Sequence, residues 1–383
     1  MFVELHILQN FAPSCLNRDE SNSPKDCEFG GFRRARISSQ CIKRAVRNYF
    51  DKDALLPGEN LARRTKLVVD ETAKRLEKKG KEREQAKAVA QAALAGAGLA
   101  TGDDGTTQYL LFLGHNELDA FASLCLDHWD TLAALLARKP SEEAKGARKA
   151  KKEAKQEFPA DLKKRVLRLL DGGKAADLAL FGRMLADLPD KNIDAACQVA
   201  HAISTNKVGV EFDFYTAVDD LQPREQTGAG MMGTIEFNSA CYYRYANIDL
   251  RQLNENLRGD QELARKTVEA FIRAAVAAVP SGKQNSMAAH NPPSFVLAVV
   301  RRSALWSLAN AFVKPVQPRH DRDLMAGSFE ALKTYWEKLC KAYGDNGIDG
   351  KWAVCLDGPT APFEDAASVE KLVQQVNAKL DFS

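Results

Sequence analysis

The sequence predicts an α+β fold, in which separated strands form a sheet that carries helices and long insertions. Three observations lead there. Short apolar runs at 2–9, 109–114, 234–247, 295–302 and 352–356 have strand length and lie far apart in the chain. Between them lie stretches rich in Ala, Leu, Lys, Glu and Arg, with apolar residues at helical spacing. No internal repeat is present, so a stacked-repeat architecture is not expected.

Residues 2–9 alternate, with Val3, Leu5 and Ile7 on one face. Residues 10–37 contain Pro13, Pro24, Gly30 and Gly31 and read as a long irregular segment, which in a compact protein is functional or disordered. Its cysteines and aromatics argue against disorder. A helix follows from about Ser39. Cys41, Ile42, Ala45, Val46, Tyr49 and Phe50 form its apolar stripe, and Ser38 or Ser39 caps its start. Residues 60–79 and 81–99 read as helices, and 109–114 as a buried strand feeding a helix at 117–138. In the lysine-rich stretch 141–168, Glu142, Glu143, Glu153 and Glu157 dilute the positive charge, so it reads as a solvated helix rather than a nucleic-acid surface. Residues 193–203 read as a helix. Residues 204–233, with Gly209, Pro223, Gly228, Gly230 and Gly233, read as an extended hairpin, and 234–247 as an aromatic-rich strand. A helix at 261–279, a loop at 280–293, a strand at 295–302, a helix at 329–343, a strand at 352–356 and a helix at 368–380 complete the chain.

At 383 residues, one to three domains are expected, and 45% hydrophobic with 27% charged residues is the balance of a soluble globular protein. No apolar run reaches membrane-span length, and the first residues do not have the pattern of a secretory signal. The eight cysteines form no Cys-x-x-Cys pair, so reduced thiols in a cytoplasm are expected. The histidines are scattered; no zinc site and no cofactor are expected. There is no phosphate loop of the Gly-x-x-x-x-Gly-Lys-Ser/Thr type, no Gly-x-Ser-x-Gly elbow and no His-Glu-x-x-His pair. Asp103-Asp104 and Asp219-Asp220 could hold Mg²⁺ for phosphodiester chemistry, but both lie in expected loops, where Asp commonly serves turns. No catalytic site is therefore expected.

Charge distribution points to an anionic partner. Between residues 29 and 50 there are six Arg or Lys and no Asp or Glu, against a net charge of only +3. Gln40, Lys43, Arg44 and Arg47 recur at i, i+3, i+4 and i+7 and share a second face of the first helix. A basic face beside a helix N-terminus suits phosphate. A second stretch, 270–320, also lacks acidic residues and carries Arg273, Lys283, Arg301, Arg302, Lys314 and Arg319. Its small polar loop at 280–286 either presents backbone N–H groups and Lys283 to phosphate or is an ordinary surface turn. In 204–233, Lys207 and Arg224 are outnumbered by Glu211, Asp213, Asp219, Asp220 and Glu225. That hairpin suits a basic partner surface, or carries an apolar wedge at Met231-Met232; local packing is the plainer role for the two methionines.

Several blocks occur in one order over about residues 1–300: Pro13-Ser14-Cys15-Leu16-Asn17-Arg18-Asp19, Phe29-Gly30-Gly31, Arg36-Ile37-Ser38-Ser39-Gln40, Leu180-Phe181-Gly182-Arg183-Met184, His201-Ala202-Ile203-Ser204-Thr205, Asp213-Phe214-Tyr215-Thr216, and Gly282-Lys283-Gln284-Asn285. Together they resemble the CasC family, the guide-RNA-binding backbone subunit of the type I-E CRISPR Cascade complex. The resemblance implies a modified RNA-recognition-motif (ferredoxin-like) palm with a helical fingers insertion and a β-hairpin thumb. Its bounds would be palm at 1–58, fingers at 59–190 with one palm strand near 108–114, a palm helix at 191–203, thumb at 204–233 and palm again at 234–383. It implies RNA contacts by Asn17, Arg18, Arg36, Ser39, Gln40, Lys43, Arg44, Arg47, Lys283, Gln284 and Asn285. Base displacement or thumb contact falls to Met184, Thr205, Met231 and Met232. The implied partners are CRISPR guide RNA, target DNA paired to it, further copies of the chain and other Cascade subunits, with no membrane. Asp219 or Asp220 is expected to pair with Arg or Lys on the next copy. Two other classes stand beside this reading: a metal-dependent RNA nuclease using Asp19, Asp103 or Asp104, and a self-assembling protein without nucleic acid.

Overall fold

The computed structural model describes residues 1–102, 104–137, 158–217 and 231–382. They divide into two units: one of Met1–Asp53, Cys197–Leu250 and Val268–Ser383, the other of Ala54–Ala196 with Arg251–Thr267.

The first unit is built on a sheet of ten strands. In chain order these are β1 (Phe2–Ser14), β2 (Asp26–Phe29), β3 (Phe32–Ile37), β4 (Cys197–Val199), β5 (Ala202–Ser204), β6 (Glu211–Ala217), β7 (Met231–Asp249), β8 (Phe295–Arg301), β9 (Ile348–Cys355) and β10 (Glu364–Asp365). They lie in the order β10-β9-β8-β1-β7-β5-β3-β2, and β4 and β6 also pair with β7. Every pairing is antiparallel except β9 with β10.

β1 is the central strand. Leu5 lies opposite Ala246 of β7 and Ala298 of β8. Leu5 and Ile7 pack toward Ile42 and Val46 of the first helix and toward Phe271 and Ala275. On the other face Leu8, Phe295, Leu297 and Val299 meet Leu332 and Trp336 of the helix Leu324–Tyr343. Both faces are thus covered, although Glu4 and His6 are polar. The reason is a buried polar network. Glu4 and Arg301, each nearly inaccessible, form an ion pair at 3.1 Å. Tyr245 Oη and the Trp306 N–H both donate to Glu4 Oε1 at 2.7 Å. Because Leu308 N–H donates to Tyr243 Oη, the Tyr243 hydroxyl hydrogen is available to His6 Nδ1, 2.9 Å away.

Two expectations for this unit are corrected. Residues 10–37 are irregular only over 15–25; their two ends are strand. β7 runs to its partner at Ser14, opposite Asn238, and gives the chain beyond residue 9 a ladder to join. Gly30 and Gly31, both at positive φ (63° and 78°), make the two-residue turn between β2 and β3 that favours the sheet's twist. Residues 193–203 form β4 and β5 instead of a helix. Their Ala, Val and Ile fit either state, and the long β7 decides: Cys197 pairs with Ile248, Ile203 with Tyr243, and Ala200 N–H bonds to Tyr245 O at 2.9 Å.

The second unit is mainly helical. Val68–Glu77, Arg83–Ala97, His115–Asp127, Trp129–Ala137 and Ala160–Leu169 enclose a core that includes Leu76, Val89, Ala93, Phe121, Cys125 and Phe158. The expected helix at 60–79 begins late, because Ala62–Thr65 pairs with Leu111–Gly114 and Ala62 N–H is held by Asp177 at 2.8 Å. The expected helix at 117–138 begins two residues earlier and breaks at His128, and much of the lysine-rich stretch, 141–157, lies outside the described residues. Arg251–Thr267, expected with the C-terminal part of the sheet domain, groups here. Lys174 pairs with Asp260 at 2.6 Å, and Asn256 Nδ2 donates to Ala179 O and Asp194 O. Among the described residues no helix is long and apolar enough to cross a membrane.

His6 gives this core a pH dependence. Burial first, and then the Arg301 charge, lower its pKa to about 3, against about 6.5 in an unfolded chain. The unfolded chain therefore binds the extra proton below pH 6.5. His6 contributes no penalty above that pH and a growing one as pH falls toward 3, with a slope of up to about 1.4 kcal/mol per pH unit. Urea midpoints measured from pH 7 to pH 5 should fall, and His6→Gln should flatten that slope; an equal slope in the variant would contradict the assignment.

Candidate nucleic-acid interface

The first helix, α1 (Ser39–Lys52), starts where Ser38 accepts the Cys41 N–H with its side chain. Asn17 holds the same corner from outside: its Oδ1 accepts the Ser38 N–H at 2.8 Å. The loop around Asn17 is fixed by its own bonds. Lys25 N–H donates to Asn17 O, Arg18 donates to Asn22, and Asp19 Oδ1 accepts from Ser21 and Ser23. Those bonds, led by the Ser21 hydroxyl, hold the Asp19 carboxyl below its usual range.

α1 divides its residues among three sides. Ile42, Val46 and Phe50 are buried in the core. Cys41, Arg44, Ala45, Asn48, Tyr49 and Lys52 line a cleft of about 700 Å³, faced by the Leu16–Asn22 loop and by the segment Ala277–Gly282 with His290. Gln40, Lys43 and Arg47 fall on the remaining side, Gln40 exposed and the two cations half-buried. The apolar stripe expected from the sequence is thus too wide. Its Cys41, Ala45 and Tyr49 face the cleft, and the spacing 41, 44, 45, 48, 49, 52 is the pattern that reveals them. Burial raises the Cys15 thiol pKa, while the Arg18 and Lys283 charges pull it down.

Of the expected RNA contacts, the structure gathers Asn17, Arg18 and Arg44 around the cleft, with Lys283 next to its Gly282 wall. Lys283 has a left-handed backbone (φ 51°) and starts the short helix Gln284–Met287. Gln284 is turned inward, its Nε2 donating to Pro280 O and Ala289 O, while Asn285 is exposed. Ser39 is half-buried in the first turn of α1. Arg36 stands apart on β3, bonded to Asp26 O and to His201.

The basic runs shrink on folding. Arg34 is fully buried, and its guanidinium donates to four main-chain carbonyls: Ser204 and Thr205 on one side, Phe312 and Val313 on the other. Arg33 pairs with Asp26. The late cluster is offset by carboxylates from outside its own stretch: Arg273 pairs with Glu269 and Glu370, Arg301 with Glu4, and Arg302 with Asp349.

The methionine and threonine positions separate. In the hairpin, Thr216 pairs with Met232 and Phe214 with Thr234, so Phe212, Phe214 and Met232 project from one face; they are 66%, 63% and 65% exposed. The two phenylalanines alternate with Glu211 and Asp213, and that period of two is the sequence signal for them. Met231 lies opposite Ala217. Thr205 is buried, its hydroxyl sharing a 2.8 Å bond with Ser328, away from that exposed face. In the other unit Met184 is 81% exposed. Its neighbour Arg183 is buried against Glu117 at 2.8 Å, and Glu117 also accepts the Gly114 and Gly172 N–H groups. Asp103, Asp219 and Asp220 lie outside the described residues. Asp104 accepts from Thr106 N–H and hydroxyl, as a turn residue does. Among the described residues no group of three His, Cys, Asp or Glu converges as metal ligands.

A cationic cleft at its first helix and a hairpin with an exposed apolar face thus characterise this largely antiparallel α+β unit. The chain belongs to the CT1975-like protein family, whose profile matches residues 3–378. It is 33% identical to a chain in the structure of a CRISPR RNA-guided surveillance complex, pre-nicking, with a TM-score of 0.85 and 99% of each chain covered. It is 27% identical to a chain of another CRISPR RNA-guided surveillance complex, with a TM-score of 0.76, covering 99% of this chain and 100% of that one. No curated protein matches it.

Gly282 closes the cleft. A Cβ there would stand 2.3 Å from Leu16 O, whereas one at Gly58 would meet nothing. Gly282→Ala should cost about 2 kcal/mol in urea unfolding, and Gly58→Ala should stay within about 0.5 kcal/mol. Equal effects would show that the contact with Leu16 does not hold the loop.

Proposed function

We propose that the chain is a non-catalytic guide-RNA-binding backbone subunit of a type I-E Cascade-like complex. Copies line up along one guide RNA and display its bases for pairing with target DNA, alongside other subunits, in the cytoplasm. The sheet unit is read as a palm derived from the RNA-recognition motif, the Ala54–Ala196 unit as fingers, and the hairpin as a thumb. One observation carries this: the cationic cleft at the start of α1, in a chain that matches subunits of RNA-guided complexes over nearly its whole length. A protein that must accept any guide sequence has to rely on phosphate contacts, and α1 with the Arg18 loop offers them.

A metal-dependent nuclease is the second reading. Asp19 and Asp104 are turn acceptors here, which favours the scaffold. The acidic hairpin suits docking on a basic surface of the next copy, and a head-to-tail contact that does not close gives a filament.

The triple variant Lys43→Ala/Arg44→Ala/Arg47→Ala should lose affinity for single-stranded RNA of any sequence, and its log–log salt slope should flatten by about 2. An unchanged slope would remove α1 from the phosphate track. RNA incubated with the protein and Mg²⁺ or Mn²⁺ should stay intact; cleavage abolished by Asp19→Asn would favour the nuclease. Asp219→Lys/Asp220→Lys should shorten assemblies on a long RNA in sedimentation, and full occupancy by the variant would sink the proposed contact between copies.

A further inference from the structure

The cleft is more than a phosphate track requires. Phosphate contacts need cations on an open surface. Here α1 and its facing segments border a half-open cleft of about 700 Å³, a volume in the range of small-molecule pockets. Its wall has two chemistries. Arg18, Arg44 and Lys52 supply positive charge on one part. The ring of Tyr49, the small side chains of Cys41 and Ala45, and the apolar run Ala277-Ala278-Val279-Pro280 supply the other. Asp19, the carboxylate in the wall, is occupied by Ser21 and Ser23. Asn17 spends its Oδ1 on the Ser38 N–H, which fixes the carboxamide and leaves its amide nitrogen as the donor end.

An anionic group joined to a flat, largely apolar ring matches this division. Resting on the RNA-binding reading above, we propose that the cleft is a nucleobase pocket. One nucleotide of the bound RNA enters it, its base stacked on Tyr49 and against the 277–280 wall, its phosphate on Arg18 and Arg44. Cys41 and Ala45, two turns and one turn before Tyr49, keep the space over the ring open. Every base has a π-face, so such a pocket tolerates any sequence. The chain then grips its RNA by a base as well as by the backbone.

The test compares a uridine oligoribonucleotide with an abasic ribose-phosphate strand of equal length, both binding the full chain. Wild type should bind the uridine strand about tenfold more tightly, the scale of one base stacked on an aromatic ring. Tyr49→Leu should lose most of that ratio and Tyr49→Phe should keep it. Ala45→Trp, which fills the cleft, should lose it too. Melting temperatures establish that each variant is folded. Equal wild-type binding of the two strands, with dependence on Arg44 retained, overturns the pocket and leaves the RNA scaffold standing. A ratio that persists in both Tyr49→Leu and Ala45→Trp also overturns it, because the base is then held elsewhere. Failure of wild type to bind either strand overturns both.

Discussion

Four carbonyl oxygens converge on the guanidinium of Arg34, and the first unit is organised around that convergence. A buried cation without hydrogen bonds would be prohibitive. Here carbonyl dipoles from two distant stretches solvate it, in charge-assisted bonds stronger than neutral ones. Burial lowers its pKa but leaves it a cation at any physiological pH. The arrangement ties β3 to the residues that lead into the hairpin and to the turn Ala309–Phe312. β3 runs directly into Ser38, which caps α1, and Asn17 hangs on Ser38. The cleft therefore inherits its geometry from a cation that never meets the solvent.

Arginine recurs in this role. Arg244, fully buried, donates to Gln9 Oε1 and Ala275 O; Arg183 holds Glu117 inside the helical unit; Arg301 balances Glu4 against the sheet. Guanidinium groups suit the task because several donors lie in one fixed plane. Local charge density in the sequence consequently overstates the positive surface. What remains beside the cleft is a small set of cations on a rigid loop and one helix.

Much of the fold was legible because burial patterns are local. The apolar run of β8 could only be a covered strand, and the spacing of Ile42, Val46 and Phe50 marked the buried side of α1. The unreadable parts depended on distant partners. Cys197–Ser204 has the composition of a helix, and only the edge of β7 makes it strand. Arg34 and Arg36 are two residues apart in one basic run, yet one is internal and the other half-exposed, a difference set by carbonyls more than 160 residues away. At the site, Asn17, Arg18 and Arg44 were legible as polar or charged residues. Tyr49 was assigned to the core because an aromatic at helical spacing reads as core whenever the opposing wall is unknown.

The hairpin carries a cost in water. Phe212, Phe214 and Met232 leave a greasy face in water, on a two-stranded arm with little else to steady it. Burying that face would remove the cost, so any state in which it is covered is favoured over one in which it stands in water.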